Sequence, residues 1–282
     1  MLTDDLYLTQ TSTYEDFDKF ISDDLPEIYT IFRYISNNLT YHQSCLQNLK
    51  VLELGSSSGE NLSLALEHGA SFVAGLDPSQ SLVQSSTNQF EKARINPEKF
   101  SFIRANIYSL NSCELNIPSS FKHSFDKVFS CWAISSAKSL SEVTQLIKVA
   151  IKYVKPNGDI VLVFVNPKIV ENFSVVKDLP RIENFRLVDV EEEMDHFKIQ
   201  AQILEPYSEK PIMNVSYNVF QLEDIEQILN GFGLVVKHSG ALQMRSEDEY
   251  VSYSFDMISK EISKEVSLGY YLHVKKPACQ SG

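Results

Sequence analysis

Lys50-Val51-Leu52-Glu53-Leu54-Gly55-Ser56-Ser57-Ser58-Gly59-Glu60 is the stretch on which the fold turns. Residues 51–54 are a short run of β-prone apolar residues interrupted by one acid, residues 55–59 are all Gly or Ser, and residues 61–68 have helical spacing. A strand that feeds a helix through a small-residue loop opens a βα unit, with the loop at the carboxyl end of the strand. Such a loop lets a ligand approach the backbone and exposes the N–H groups of the helix N-terminus.

The same rhythm continues along the chain. Residues 72–76, 100–104, 126–130 and 160–165 are further short apolar runs, as strands buried on both faces must be. Helical spacing occupies residues 81–93 and 141–153, and Lys155-Pro156-Asn157-Gly158 should stop the second of these helices and turn the chain into the next strand. Residues 14–20 and 28–35 are amphipathic and precede the first strand, so they are free to cover the sheet. After Val165 the pattern changes: residues 195–204 and 212–220 read as longer alternating strands joined through Pro206 and Pro211, an antiparallel insertion. Helical residues 222–230, the break Gly231-Phe232-Gly233 and the run 234–237 restore the βα order, followed by a polar helix-like stretch, 247–264, and a last strand, 270–274.

Composition excludes several classes of function. The 282 residues are 43% hydrophobic and 22% charged, which suits an ordinary globular protein with a full core rather than a disordered or fibrous chain. Twenty-five Lys and Arg stand against 37 Asp and Glu, giving −12, and the basic residues are scattered with no run of five or more; that field repels phosphate backbones and anionic lipids, so neither nucleic acid nor membrane is an expected partner. The longest apolar run, 160–165, is far below the roughly 20 residues of a spanning helix, and Asp4 and Asp5 disfavour a secretory signal, so a cytoplasmic location is expected. Cys45, Cys113, Cys131 and Cys279 form no CxxC and are read as reduced thiols; the six histidines are isolated, and no metal site is expected. Four N-x-S/T sequons, Asn61-Leu62-Ser63 among them, are read as chance in a cytosolic protein.

Two acids give the loop its chemistry. Gly75-Leu76-Asp77-Pro78 places a carboxylate at the end of the second strand, 18 residues after Gly59, where it can accept both hydroxyls of a ribose. Glu53 directly precedes the loop, and the glycine spacing is GxxxG rather than GxGxxG. An anion at that point opposes the pyrophosphate of a dinucleotide and favours a nucleoside whose tail carries an ammonium group.

These residues resemble the first motif of the class I S-adenosylmethionine-dependent methyltransferases, an acid followed by three alternating glycines: Glu53, Gly55 and Gly59 match, and Ser57 replaces the middle glycine. Asp77 matches the ribose-binding acid of that family, and Ala105-Asn106-Ile107 is similar to its adenine-contact position with Asn in place of the usual Asp. Phe125-Asp126-Lys127-Val128-Phe129-Ser130-Cys131-Trp132 is similar to the fourth motif, and Val154-Lys155-Pro156-Asn157-Gly158-Asp159-Ile160 to the turn into the fifth strand. The resemblance spans residues 50–165 closely and 221–236 loosely. It implies a Rossmann-like α/β fold: a seven-stranded, mostly parallel sheet with helices on both faces, an N-terminal helical cover and an antiparallel β insertion after the fifth strand. It implies as cofactor S-adenosyl-L-methionine, released as S-adenosyl-L-homocysteine, bound by Glu53, Gly55, Ser56, Ser57, Gly59, Asp77, Pro78, Asn106, Ile107 and Ser130. Thr13-Tyr14-Glu15-Asp16-Phe17 resembles the short helix that small-molecule members fold over the cofactor, which would bring Tyr14 to the methionine end, with Arg33 a partner for its carboxylate.

Methyl transfer is an in-line displacement at an already activated carbon, so orientation and exclusion of water suffice and a base is optional. Trp132 and Asn166, just past the fourth and fifth strands, and His196 and Tyr217, on the insertion, are the candidate substrate contacts; no catalytic base is assigned. Structural readings stand beside these: Asp77 as a helix cap, Asn106 as a loop amide, Trp132, His196 and Tyr217 as packing residues. The reading is a single domain over residues 1–282, with a cover at 1–48, a cofactor-binding core at 49–165, a substrate-side insertion at 166–220 and the remainder of the core at 221–276. The acidic surface and the covered sheet edge favour methyl transfer to N, O or C of a small molecule. Alternatives are a non-catalytic binding or scaffold module of the same fold, motivated by Ser57 and Asn106, a protein methyltransferase, and a nicotinamide-dependent oxidoreductase.

Overall fold

The structure is a computed structural model that describes residues 46–109, 117–177, 185–204, 210–241 and 269–278. The expected N-terminal cover with Tyr14 and Arg33, the stretch 247–264 and Pro206 lie outside the described residues. The elements run β1 (Lys50–Leu54), α1 (Glu60–Glu67), β2 (Phe72–Asp77), α2 (Gln80–Lys92), β3 (Phe100–Arg104), β4 (Phe125–Cys131), α3 (Ala133–Ser136), α4 (Leu140–Tyr153) and β5 (Val154–Val165). They continue with α5 (Lys168–Glu171), α6 (Phe173–Val176), β6 (Phe185–Glu192), β7 (Phe197–Leu204), β8 (Pro211–Val219), α7 (Leu222–Gly231), β9 (Val235–Ala241) and β10 (Gly269–Lys275).

One sheet has the order β3-β2-β1-β4-β5-β10-β9, with β1 to β5 parallel and β10 antiparallel to both neighbours. Strand order reverses between β1 and β4, so the crevice beyond their carboxyl ends is the place where α/β sheets bind ligands. Alternation along each strand sorts two cores. Leu52, Leu54, Val128, Ile160 and Leu162 pack with Leu146 and Ile147 of α4 and Ile225 of α7, while Val51, Val73, Phe129, Val161 and Val163 pack with Leu62 and Ala65 of α1 and Phe90 of α2. Glu53 shares the face of Val51 and is buried there, a carboxylate in an otherwise apolar row.

The helix starts follow side-chain chemistry. Ser79 Oγ accepts the N–H of Leu82 at the start of α2, and Ser139 Oγ accepts that of Glu142 at the start of α4. Gly59 caps α1 with φ +83, and a Cβ there would sit 2.8 Å from Phe102 Cζ, so both conformation and space require glycine.

Sheet β6-β7-β8 is antiparallel and follows the fifth strand, as expected, but has a third strand that periodicity does not show. The register of β6 shifts between Leu187 and Asp189, which leaves Val188 54% exposed and breaks the alternation by which a strand is read. Lys155-Pro156-Asn157-Gly158 also differs from the expected turn: β5 begins directly after α4, and these residues form an irregular start to it, with a register shift opposite Phe125 and Lys127.

Candidate active site

Five parallel strands deliver their last residues to one edge of the sheet. At the end of β1 the backbone N–H groups of Gly55 and Ser56 donate to Leu76 O at 2.8 and 3.3 Å, so the loop is tied to β2. Ser57 takes φ +45, and two contacts hold it there: its N–H donates to Asp77 Oδ2 at 3.0 Å, and its carbonyl accepts Ser86 Oγ of α2 at 2.7 Å. Serine therefore occupies the left-handed conformation expected of the missing middle glycine, at a cost that these bonds offset. Gly75 makes room for the turn, since a Cβ on it would lie 2.4 Å from Ser56 Oγ.

Asp77 is buried at the end of β2, where Oδ2 accepts Ser57 N–H and Oδ1 accepts Ser79 N–H at 2.8 Å. Burial pushes its carboxyl up to about 6, against the downward pull of those two bonds. Each oxygen keeps a second lone pair. Glu53 is more deeply perturbed. Burial raises it to about 8; Asn61 opposes this by donating Nδ2 to Oε1 at 2.7 Å, and Asp77 and Glu60 add to it through like charge. Burial and the charge of Glu53 in turn push the Cys131 thiol well above its usual value.

Among the described residues, three groups here are buried without a hydrogen-bond partner: Glu53 Oε2, Ser56 Oγ and Asn61 Oδ1. An unsatisfied buried acceptor costs about 1–3 kcal/mol, so a ligand with donors and positive charge fits this end of the site and a pyrophosphate does not.

The remaining sequence candidates divide. Ser130 is fully buried on the α4 face with its Oγ unpartnered, and Ile107 is buried in the core beneath the loop. Asn106 is exposed after β3, and its Oδ1 accepts Tyr108 N–H at 3.0 Å; Pro78 presents its carbonyl to Arg104 Nε at 3.2 Å. Trp132 follows β4 with φ +65, an uncommon conformation for a bulky residue, and its ring centroid lies 6.4 Å from that of Tyr217. Asn166 is buried at the end of β5, with Oδ1 accepting Lys168 N–H. His196 is drawn elsewhere: Nδ1 lies 2.8 Å from Asp195 Oδ1, the ring packs 5.2 Å from Phe220, and Asp195 Oδ2 accepts Leu140 N–H. The structure thus brings Trp132 to Tyr217 and seats His196 by the start of α4.

Asn61, Gly75, Ser86 and Cys131 join the site without having been singled out for it. Asn61 stands two residues after Gly59, on the first turn of the helix that covers β1, which was the available signal; Ser86 and Cys131 carried none, because their roles depend on which way α2 and β4 face.

Residues 51–158 match the family model described as a methyltransferase domain. This part of the chain carries a methyltransferase domain. No curated protein matches the chain by sequence. A solved S-adenosylmethionine-dependent methyltransferase from Clostridium acetobutylicum ATCC 824 is 15% identical, with a TM-score of 0.58 over 96% of this chain and 100% of that one. The magnesium protoporphyrin IX methyltransferase of Synechocystis PCC 6803, solved with S-adenosylhomocysteine bound, is 13% identical, with a TM-score of 0.51 over 89% of this chain and 81% of that one. The [4+2]-cyclase SpnF is 12% identical, with a TM-score of 0.53 over 88% and 81%. At these identities the likeness is one of fold. The unpartnered atoms beside Glu53 suit a ligand that carries an ammonium group. Among the described residues no helix is long and apolar enough to cross a membrane.

Proposed function

We propose that this methyltransferase acts on a small-molecule acceptor that enters between the carboxyl edge of β4 and β5 and the sheet β6-β7-β8. The observation that carries the reading is the apolar cluster of Val165 and Ile169 with Leu187, Ile199, Ala201 and Val219, against which Trp132 and Tyr217 pack. It sets the insertion over the edge of the sheet as a wall, which suits a closed chamber better than an open groove for a polymer. The formal charge of −12 also disfavours nucleic acid.

Within that frame Asp77 holds the ribose of the cofactor, Glu53 its ammonium group, and Gly55, Ser56, Ser57 and Gly59 provide the close backbone surface. Pro78, Asn106, Ile107 and Ser130 frame the adenosine end. When bound, the cofactor supplies an electrophilic methyl group. Trp132, Tyr217 and Asn166 then orient the acceptor and exclude water, a task that requires no base. The φ of +65 at Trp132 supports a functional role, since such strain costs about 1–3 kcal/mol and persists where the surroundings impose it. We take residues 1–282 as one domain divided as in the sequence reading, in a cytoplasmic setting that keeps Cys131 a free thiol.

The test is incubation with S-adenosylmethionine labelled in its methyl group and a cell extract separated into small molecules, protein and nucleic acid. Label is expected in the small-molecule fraction. Transfer to protein or nucleic acid would overturn the acceptor class, and absence of calorimetric binding of S-adenosylhomocysteine at millimolar concentration would overturn the assignment of the site.

A further inference from the structure

Helix α3 is too short to hold itself. It has four residues, Ala133–Ser136, and the first turn of a helix fixes several backbone torsions for one hydrogen bond, so its shape must come from outside. Two side chains distant in sequence grip its ends. At the start, Tyr108 Oη donates to Ala133 O at 2.7 Å; just past the end, Asn218 Nδ2 of β8 donates to Ala137 O at 2.7 Å. The carbonyl taken by Tyr108 is one the helix does not use, because the N–H of Ala137, which would reach it in a regular α-helix, donates to Ile134 O instead. Between the two grips, Ser135 Oγ accepts the N–H of Val165 at 2.9 Å and pins α3 to the carboxyl end of β5.

Both grips come from parts of the molecule that border the site. Tyr108 stands two residues after Asn106, whose Oδ1 accepts its N–H at 3.0 Å, so its hydroxyl spans from the loop after β3 to α3. Asn218 is the neighbour of Tyr217, whose ring lies 6.4 Å from that of Trp132. Trp132 leads directly into α3: its N–H donates to Val163 O at 2.7 Å, its carbonyl accepts Ser135 N–H at 3.0 Å, and its φ is +65. The glycine loop meets the same turn, since a Cβ on Gly55 would lie 3.0 Å from Ala133 Cβ. One helical turn thus touches the loop after β1, the loop after β3 and the insertion. A bulky residue at positive φ keeps that conformation only where its surroundings impose it, and here they do so through α3.

In-line displacement needs the reacting atoms about 3–3.5 Å apart and aligned, and a misplacement of about 1 Å costs on the order of 10²-fold in rate. We propose that Tyr108 and Asn218 are positioning residues for methyl transfer, which grip the two ends of α3 so that Trp132 and the acceptor against it stand at a fixed place relative to the cofactor. The proposal rests on the acceptor reading above and adds the residues that set its geometry. Neither side chain has to touch the acceptor or the cofactor, so losing either should slow transfer and spare cofactor affinity.

The experiment uses Tyr108→Phe, which keeps the ring and removes only the donor, and Asn218→Leu, which removes the other donor at similar size. Three quantities are read on the full chain: acrylamide quenching of Trp132, the only tryptophan; calorimetric affinity for S-adenosylhomocysteine; and label transfer from saturating methyl-labelled S-adenosylmethionine to the small-molecule fraction of a cell extract. Each variant should raise the quenching constant at least twofold and slow transfer at least tenfold, with S-adenosylhomocysteine affinity within threefold of the parent. Unchanged quenching, or altered quenching with unchanged transfer, overturns the proposal. So does a loss of S-adenosylhomocysteine affinity that matches the loss of transfer, which would make the grips supports of the cofactor loop. If one variant does not fold, the other decides, because each releases a different end of α3. Label in protein or nucleic acid from the unsubstituted chain would instead overturn the acceptor class, and the variants are then compared on that fraction, so the two failures are distinct.

Discussion

The backbone N–H of Ser57 donates to Asp77 Oδ2 at 3.0 Å, across 20 residues of sequence. Through this bond the acid at the end of β2 shapes the loop at the end of β1, while its other oxygen holds Ser79 N–H before α2. The same carboxyl group therefore fixes the loop and keeps lone pairs for a ligand.

Asp77→Asn tests that double duty. An amide has one acceptor oxygen, so one of the two backbone N–H groups would face an NH₂ group and the ribose would lose an anionic acceptor. Affinity for S-adenosylhomocysteine, read by calorimetry, should fall at least tenfold; a value within twofold of the parent would show that the charge at residue 77 is not used.

Glu53→Gln separates stability from binding. The carboxyl group of Glu53 is raised from 4.5 to about 8 in the folded chain, so between those pH values the folded state binds more protons than the unfolded one, and its stability falls as pH rises. The deficit is on the order of 5 kcal/mol above pH 8. Without ligand, the Gln variant should therefore melt near the parent at pH 4.5, increasingly above it up to pH 8, and by a constant margin beyond. An ammonium ligand prefers the ionised acid, so S-adenosylhomocysteine should bind the parent more tightly at pH 8 than at pH 6 and release protons on binding at the lower pH. A melting difference that does not change with pH would contradict the raised carboxyl group.

Asp159 contributes in the opposite sense. Burial raises its carboxyl group, but hydrogen bonds from His273, Lys127 and Lys275 outweigh this and hold it well below the usual carboxylate range. Its contribution is present above the unfolded value of 3.8 and is lost as pH falls toward the folded one. In Asp159→Asn the two lysines lose their shared anion, and stability at pH 7 should drop by about 2–4 kcal/mol, measured by urea unfolding. A difference below 0.5 kcal/mol would show the cluster to be energetically idle.

Gly75→Ala should perturb the site from behind. The added Cβ meets Ser56 Oγ at 2.4 Å and Phe102 Cδ1 at 2.7 Å, so the loop or β3 must shift. Overpacking of this kind costs about 1–3 kcal/mol. Denaturant unfolding should show that loss, with weakened S-adenosylhomocysteine binding if the loop is what moves; unaltered stability would mean the turn is looser than its contacts imply.

Trp132 is the only tryptophan of the chain, so its fluorescence reports one position. At the end of β4 and against Tyr217, its emission should change when a true acceptor binds in the presence of S-adenosylhomocysteine. An acceptor that is methylated but leaves the emission unchanged would remove Trp132 from the substrate wall.

Much of this protein was legible along the chain because its governing interactions are local. Apolar runs at 51–54, 72–76 and 100–104 specify strands and small residues at 55–59 specify a loop, whereas the caps at Ser79 and Ser139 came from the structure, which puts Ser79 and not Asp77 at the start of α2. Spacing alone placed Glu53 and Asp77 at neighbouring strand ends, since parallel strands deliver their carboxyl ends to the same edge. The sequence also showed an acid at residue 53, but whether that acid is ionised depends on its burial, which raises its carboxyl group to about 8. Tertiary structure alone decided what depends on distant groups meeting. The pairing of Asn61 with Glu53 required α1 to lie back across β1, and the left-handed turn at Ser57 required Asp77 and Ser86 from β2 and α2. The seating of His196 by Phe220, rather than beside Trp132 with Tyr217, required the register of the insertion. Periodicity records which face of an element is apolar; it holds no record of what stands opposite that face, and burial and hydrogen bonding are set there.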